Sequence, residues 1–411
     1  MTAAVLRKGW CPGVLRPMPS GDGFLVRLKL TAGELPAATA TTIAALAAEH
    51  GNGGIDMTQR ANLQLRGVRE ASLPELTRAL DGLGLIDASP EAEAVRNVLV
   101  SPLAGFDPWC ADGRKIARAL EDLLRRDASL QRLPAKFGFG IDGGGLWPLG
   151  ETGLDVTLCA DYAGDEWRIR LAGSELLSKP SAASKAVSTL ARLARHFAES
   201  ALPRMRDLVA RDGAQAVYSG AAVAADPTWK TTDRAAIRSG PGGLPLAAGI
   251  FIAAIGLPFG HIGADQLAGL VEACGRNTKL RLTPWRLLLV PVKNVASASK
   301  LLSVAARLGL ITEPDDPRAN LEACTGAPGC PNATTPTRQD ALALAGLLAG
   351  KLHVSGCAKG CAHRRPAPIT LVARDGRYDL VLKGLPSDAP VRTGIESGEL
   401  VAALQPFAAL T

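Results

Sequence analysis

The chain has 411 residues, with 46 Lys and Arg against 39 Asp and Glu, a net charge of +7, and 47% apolar residues. That composition excludes a disordered chain, and it leaves room for two to four domains with sizeable cores. The basic residues are scattered rather than gathered in runs, which excludes a nucleic-acid stripe and makes an anionic small molecule the better partner.

The N-terminus, MTAAVLRKGWCPG, carries basic residues but no apolar stretch of signal-peptide type, so a cytoplasmic protein is expected. SGDGFLVRLKL then reads as a strand after a glycine turn, and PAATATTIAALAAEH as a helix at about 36–50. GIDMTQRANLQLRG reads as a strand pair and SLPELTRALDGLG as a second helix, so residues 1–93 form a ferredoxin-like half-domain. Residues 94–232 form a larger α/β unit: RNVLVSPLAG, the amphipathic helix GRKIARALEDLLRR, strands in LPAKFGFGIDGGG and DVTLCADYAGDEWRIRLAG, and a helix pair from about 181 to 212. Residues 233–312 repeat the first plan, with strands in LPLAAGIFIAAIGLPFG, a helix in HIGADQLAGLVEACG, a strand pair in TKLRLTPWRLLLVP and a helix at 296–308. Residues 313–411 repeat the second plan, with a capping box at Thr337–Asp340 opening a helix through ALALAGLLA, a strand in KLHVSG and another in RYDLVLKG. The order of units is an internal duplication.

Residues 239–264 hold no charged side chain, but Pro241, Pro245, Pro258 and several glycines interrupt them, so strand–turn–strand is expected and no membrane span. GFGIDG at 138–143 matches G-x-G-x-x-G but is followed by GGLWPLG rather than a helix, which fails the context a dinucleotide fold requires. His261 with Asp265 reads as a structural pair, and Cys11, Cys110, Cys159 and Cys274 as ordinary isolated thiols.

The other four of the eight cysteines stand as Cys324-x5-Cys330 and Cys357-x3-Cys361, in glycine-rich loops. Structural zinc usually takes close Cys-x2-4-Cys pairs, whereas cubane iron–sulfur clusters accept wider spacing with four cysteine ligands. An iron–sulfur centre is the better fit; four buried thiols acting as small hydrophobes are the bland alternative.

This spacing, ending in SGC-x3-C, resembles the siroheme-dependent sulfite and nitrite reductases. The resemblance implies that Cys324, Cys330, Cys357 and Cys361 hold a [4Fe–4S] cluster. It also implies a duplicated α+β fold with pseudo-twofold symmetry, two ferredoxin-like half-domains alternating with two larger α/β domains, and a tetrapyrrole between the halves. TQRANLQLRG resembles the segment that grips siroheme carboxylates in that family, and a planar guanidinium meets a carboxylate bidentately. Arg60, Asn62, Gln64 and Arg66 share its polar face, and Lys279, Arg281 and Arg286 are expected at the corresponding place in the second half. Arg27 and Lys29 share a strand face in LVRLKL and join the substrate-binding set. Arg96 and Lys136 resemble cations over the distal face of the macrocycle, and His363, two residues past Cys361, is an iron ligand, a proton donor or a loop residue; these three are the catalytic candidates. Where the family's sulfite reductases carry K-F-K, this chain has Lys136 followed by Gly138, which argues against reduction of a small oxyanion.

With GWCPGVLRPMPSGDGFLVRL, NVLVSPLAGFDPW and SGCAKGCAHRR added, the resemblance narrows to the branch of that family that takes a metal-free tetrapyrrole as substrate. That branch implies precorrin-3A and O2 as substrates, a mononuclear non-haem iron beside the [4Fe–4S] cluster, and NADH as ultimate reductant, delivered through an electron-donor reductase. No 2-His-1-carboxylate motif is legible in the sequence. A siroheme-dependent sulfite or nitrite reductase and a non-catalytic iron–sulfur electron carrier are the competing readings.

Overall fold

The computed structural model describes residues 10–150, 152–161, 164, 166–228, 240–246 and 249–408. The extreme N-terminus read above for a signal segment and the expected boundary at 232/233 lie outside the described residues. Among the described residues no helix is long and apolar enough to cross a membrane.

The elements fall into four sheets. The first run comprises β1 (Met18–Ser20), β2 (Gly23–Leu28), β3 (Glu34–Pro36), α1 (Ala37–His50), β4 (Gly54–Met57), β5 (Leu63–Val68), α2 (Leu73–Gly82) and α3 (Pro90–Val95). The second comprises β6 (Val98–Val100), α4 (Arg114–Arg126), β7 (Phe139–Asp142), β8 (Val156–Ala160), β9 (Glu166–Leu171), β10 (Leu177–Ser178), β11 (Ser181–Ala182), α5 (Ala183–Glu199), α6 (Met205–Asp212), α7 (Ala214–Gly220) and β12 (Ala225–Asp226). The third holds β13 (Gly242–Pro245), β14 (Phe251–Gly256), β15 (His261–Gly263), α8 (Ala264–Cys274), β16 (Lys279–Leu282), β17 (Leu287–Val292) and α9 (Val295–Arg307). The fourth holds β18 (Leu321–Ala323), α10 (Thr337–Ala343), β19 (Leu352–Ser355), β20 (Ala367–Arg374), β21 (Arg377–Gly384), β22 (Arg392–Ile395) and α11 (Leu400–Leu404).

The duplication is visible in the topology. One sheet has the order β1-β2-β5-β4-β15 and another β13-β14-β17-β16-β3. Each half thus lends its short strand to the other: β15 pairs antiparallel with β4, and β3 with β16. α1 packs on α8, and one apolar core runs through both halves, from Val26, Leu28 and Leu65 to Ile255, Leu280 and Leu288. The larger units repeat as well. β6, β7 and β8 are parallel with β9 antiparallel, just as β18, β19 and β20 are parallel with β21 antiparallel. Each of these sheets has its own core, one around Phe137, Phe139 and Tyr218, the other around Leu352, Leu371 and Tyr378.

Alternation decides what each half-sheet offers on its outer face. In β2, Val26 and Leu28 enter the shared core and Arg27 points the other way; in β5, Leu63 and Leu65 are core and Gln64 lies opposite Arg27. In β14 and β17 both faces are apolar, because Ile252, Ala254 and Leu289 form a second small core with Leu103 and Trp147.

Two local expectations are corrected. α10 stops at Ala343, and its Thr337 does not cap it: the hydroxyl donates to the Cys324 carbonyl at 2.7 Å, while Asp340 accepts from the Tyr378 hydroxyl at 2.6 Å. His261 pairs through Nδ1 with Asp56 at 2.8 Å, not with Asp265, because strand exchange brings β15 beside β4.

Candidate functional site

Cys324 follows β18 and Cys357 follows β19, so two parallel neighbouring strands deliver both cysteine pairs to one end of a sheet. The Gly356 amide donates to Cys324 Sγ at 3.1 Å. A Cβ on Gly356 would stand 2.6 Å from Cβ of Ala333 and 3.3 Å from that sulfur, so the loops close only over glycine. Burial, and then the charges of Cys324 and Cys330, raise the Cys357 thiol. Cys361 reaches solvent at its edge, yet crowding by protein, then Cys324, Cys357 and Cys330, push it up to about 11, against the opposing pull of Lys359. Thiols that resist one another as thiolates are stabilised together by a cationic centre, and an all-cysteine set fits a [4Fe–4S] cluster. Among the described residues no three His, Cys, Asp or Glu side chains stand close enough to share one ion.

The loop carrying Cys330 is docked on the first half-sheet. The carbonyl of Gly329 accepts from the Ser20 hydroxyl at 2.6 Å, the Gly21 amide at 3.3 Å and Arg66 Nη2 at 2.8 Å. A Cβ on Gly21 would fall 2.1 Å from the Pro328 carbonyl oxygen. Arg66 is itself held by Asp22 at 3.1 Å and Asp56 at 3.5 Å. Burial alone pushes the Asp56 carboxyl up, but Arg338, His261 and Arg66 together hold it well below the usual range.

Beside this dock lies a cluster of cations on the outer face of the half-sheet. Arg27 donates to Gln64 Oε1 at 2.6 and 3.1 Å, and burial lowers its pKa against the opposing pull of Cys11 and Glu93. Arg60 reaches the Lys136 carbonyl at 2.6 Å, and Lys29 the Ala94 carbonyl at 3.0 Å. Burial, then Arg96 and Arg27, lower Lys29 to about 7; burial, then Arg27, Arg204 and Arg364, lower Arg60 to about 10 despite the opposing Cys11. Glu93 opposes the lowering of Arg27 and Lys29, and its two oxygens accept from the amides of Val14 and Leu15 at 2.6 and 3.1 Å. Positive charge crowded this way is relieved by an anion.

Three of the remaining expected cations, Arg96, Arg281 and Arg286, are committed inside the protein. Arg96, expected over a substrate, is buried between Asp87 at 3.0 Å and Glu121 at 3.3 Å. Arg281 is buried against Glu34 at 2.7 Å and lies over the Phe106 ring at 4.8 Å. Arg286 pairs with Glu322 and donates to the Ala362 carbonyl at 3.1 Å. Lys279 is exposed on an edge register opposite Pro36. Asn62 is buried in the turn whose backbone Thr58 organises. A buried guanidinium must find a carboxylate, and alternation along one strand does not show which distant segment supplies it. Lys136 is half-buried beside Arg60, which donates to its carbonyl. His363 is half-buried, edge-on to a fully buried His353 with ring centroids 5.7 Å apart.

Residues 16–83 match the family model of the nitrite/sulfite reductase ferredoxin-like half domain, which spans the strands carrying Arg27 through Arg66. Over 97% of its length the chain is 33% identical to a precorrin-3B synthase of Sinorhizobium sp., covering 87% of that protein. This chain belongs to the precorrin-3B synthase family. A ferredoxin–nitrite reductase of Synechococcus elongatus is 25% identical over 91% of the chain and 80% of that protein. The structure of the NirA protein of Mycobacterium tuberculosis aligns with a TM-score of 0.74 over 93% of this chain and 79% of that one, at 20% identity, and so shares the fold.

In this member of the precorrin-3B synthase family, sequence reasoning passed over Cys11, Asp22, Asp56, Arg204, Arg364, His353 and Glu322. Two had a visible signal. His353 alternates with Leu352 and Val354 in a strand where an apolar residue is expected, and Asp56 does the same between Ile55 and Met57. The isolated thiols Cys110 and Cys159 are pushed up to about 12, chiefly by burial, and are inert.

Proposed function

We propose that this protein is a precorrin-3B synthase: it hydroxylates precorrin-3A at C20 with O2 and closes a γ-lactone, in aerobic cobalamin biosynthesis. One oxygen atom enters the macrocycle, the other leaves as water, and NADH supplies the two electrons through a reductase. The observation that carries this reading is the cation cluster: Arg27, Lys29 and Arg60 act on one another, with Arg364 adding to Arg60, and the opposing Cys11 and Glu93 do not cancel the lowering of any of the three. Precorrin-3A carries a ring of acetates and propionates, and guanidinium groups bind carboxylates with charge-assisted hydrogen bonds. Arg27 and Arg60 hold the substrate in place, and Gln64 and the Lys136 carbonyl keep their guanidinium planes aimed. The cysteines hold a [4Fe–4S] cluster that delivers electrons, and a mononuclear iron supplies the O2 chemistry that organic side chains lack. Small oxyanion reduction is disfavoured by Gly138 where a second lysine would stand.

The test is the absorption spectrum of anaerobically purified protein with acid extraction of any pigment. An iron–sulfur shoulder that gains a tetrapyrrole spectrum only on addition of precorrin-3A supports the synthase. A strong Soret band from bound siroheme makes the protein a sulfite or nitrite reductase.

A further inference from the structure

We propose that His353, His363 and Glu322 hold the mononuclear iron; the inference rests on the oxygenase reading above and adds the ligands that reading lacks. His353 projects from the face of β19 opposite Leu352 and Val354, is fully buried, and neither of its ring nitrogens has a hydrogen-bond partner. A buried polar group left without a partner costs about 1–3 kcal/mol, so such an imidazole calls for something to bind its lone pair. The two groups that face it are ligands of the right kind. His363 lies edge-on to it, with ring centroids 5.7 Å apart and planes at 64°. Glu322 is its direct neighbour in the parallel register of β18 and β19, and side chains at paired positions leave the sheet on the same face.

The surroundings match a metal site's outer contacts. One carboxylate oxygen of Glu322, Oε2, is held by Arg286, while the other, Oε1, has Lys351 at 3.7 Å, a side chain 42% exposed. Oε1 is thus weakly committed. Arg286 also donates to the carbonyl of Ala362, the residue before His363, at 3.1 Å. One guanidinium thereby orients the carboxylate and fixes the backbone that carries the second histidine, which is how outer contacts position metal ligands. The cations near the pair are Arg286, neutralised by Glu322, and Lys351 and Arg365, both reaching solvent. Two imidazoles and one carboxylate are the donor set of non-haem iron oxygenases, which leave positions open for O2. Among the described residues no such trio already converges to share an ion. Closing this one turns the side chain of His363, which sits on a half-buried loop and needs no strand to move.

The location suits the role. His353 is four residues from Cys357 along an extended segment and His363 two from Cys361, so by chain reach the pair lies within about 14 Å of a cluster cysteine. Electrons have a short path, and the iron adjoins the loop that supplies Arg364 to the cation cluster.

The test uses anaerobically purified holoprotein, wild type and the variants His353→Ala, His363→Ala and Glu322→Gln. Total iron, the cluster absorbance and the electron paramagnetic resonance signal of the ferrous nitrosyl formed with nitric oxide are measured on each. Each variant is expected to lose about one iron per chain and the nitrosyl signal, and to keep its cluster absorbance. Should His353→Ala fail to fold, His363→Ala on the half-buried loop decides. Folded variants that keep wild-type iron and nitrosyl signal overturn the assignment, as does a wild-type protein with no iron beyond its cluster. Precorrin-3A binding, followed by absorbance on the same samples, separates the two ideas. Wild type that does not bind it sinks the synthase reading while the iron result stands, and binding with iron unchanged in the variants sinks only the ligand set.

Discussion

The two half-sheets repeat each other closely enough to be compared position by position. The Thr58 hydroxyl accepts from the amides of Arg60 and Asn62, both at 3.2 Å, and the Thr283 hydroxyl accepts from those of Trp285 and Leu287, at 3.3 and 3.0 Å. The residue between is left-handed in both turns, Ala61 with φ 52° and Arg286 with φ 63°. By this register Trp285 stands where Arg60 stands. One strand further, Ala254 paired with Leu289 replaces Arg27 paired with Gln64. The first half keeps an outer face of charge, and the second turns the same face into a small core with Trp147, whose ring meets Trp285 at 6.0 Å. The duplicated backbone is scaffold on both sides, and on the proposed function the substrate carboxylates meet only the first half-sheet.

The largest effect that tests this asymmetry falls on Arg66. Arg66→Ala leaves Asp22 without its cation, only Asn52 among the described residues still donating to it, and removes one donor from Gly329; it should cost about 3–5 kcal/mol in urea unfolding and speed iron loss, because a buried ion pair has been broken. Next is the pair Arg60 and Trp285. Arg60→Ala should weaken precorrin-3A binding about 10–100-fold with the melting temperature nearly unchanged, the loss of a hydrogen bond to a charged group. Trp285→Ala should do the reverse, losing about 2–3 kcal/mol of stability while titrations show unchanged affinity. If both variants lose affinity equally, the division between a binding half and a packing half is wrong. Arg281→Ala is milder, about 1–2 kcal/mol with no effect on binding, since Glu34 keeps Arg114 and Arg118. The smallest effect is a pH dependence. Burial and like charge hold Lys29 at about 7, and a bound polyanion raises it. Affinity should therefore be full below pH 7 and fall, by at most about tenfold per pH unit, as pH rises through 7, with proton uptake on binding seen by calorimetry in buffers of different ionisation heat.

Much of this was legible in the residues. Alternation in LVRLKL and NLQLRG put Arg27, Gln64 and Arg66 on one face, and the helices at 37–50 and 295–307 fall within a residue of their expected ends. What escaped was whatever depends on a partner from far along the chain. β3 and β15 are three residues each, too short for a periodic signal, so strand exchange was invisible. Without it, β16 was matched to β5, although sheet order makes it the counterpart of β4. Arg281 accordingly answers to Asp56, each meeting its counter-charge on an exchanged strand, Glu34 in one case and His261 in the other. The helix expected through ALALAGLLA ends at Ala343 because the backbone there tightens into turns, with the amides of Leu344, Ala345 and Leu347 donating to the carbonyls three residues back.

The exchange of strands also sets a timetable for synthesis. Leu35 on β3 pairs with Leu280, 245 residues later. At roughly 5–20 residues per second the ribosome takes about 10–50 s to cover that distance. β4 likewise waits with one edge bare until Ile262 of β15 follows Ile55 by 207 residues, and meanwhile the apolar face shared by the two halves lacks its partners from the second half. An unpaired edge beside an open core is the surface on which nascent chains stick to one another. Yield in the cell will therefore depend on holding the first half soluble until the second emerges.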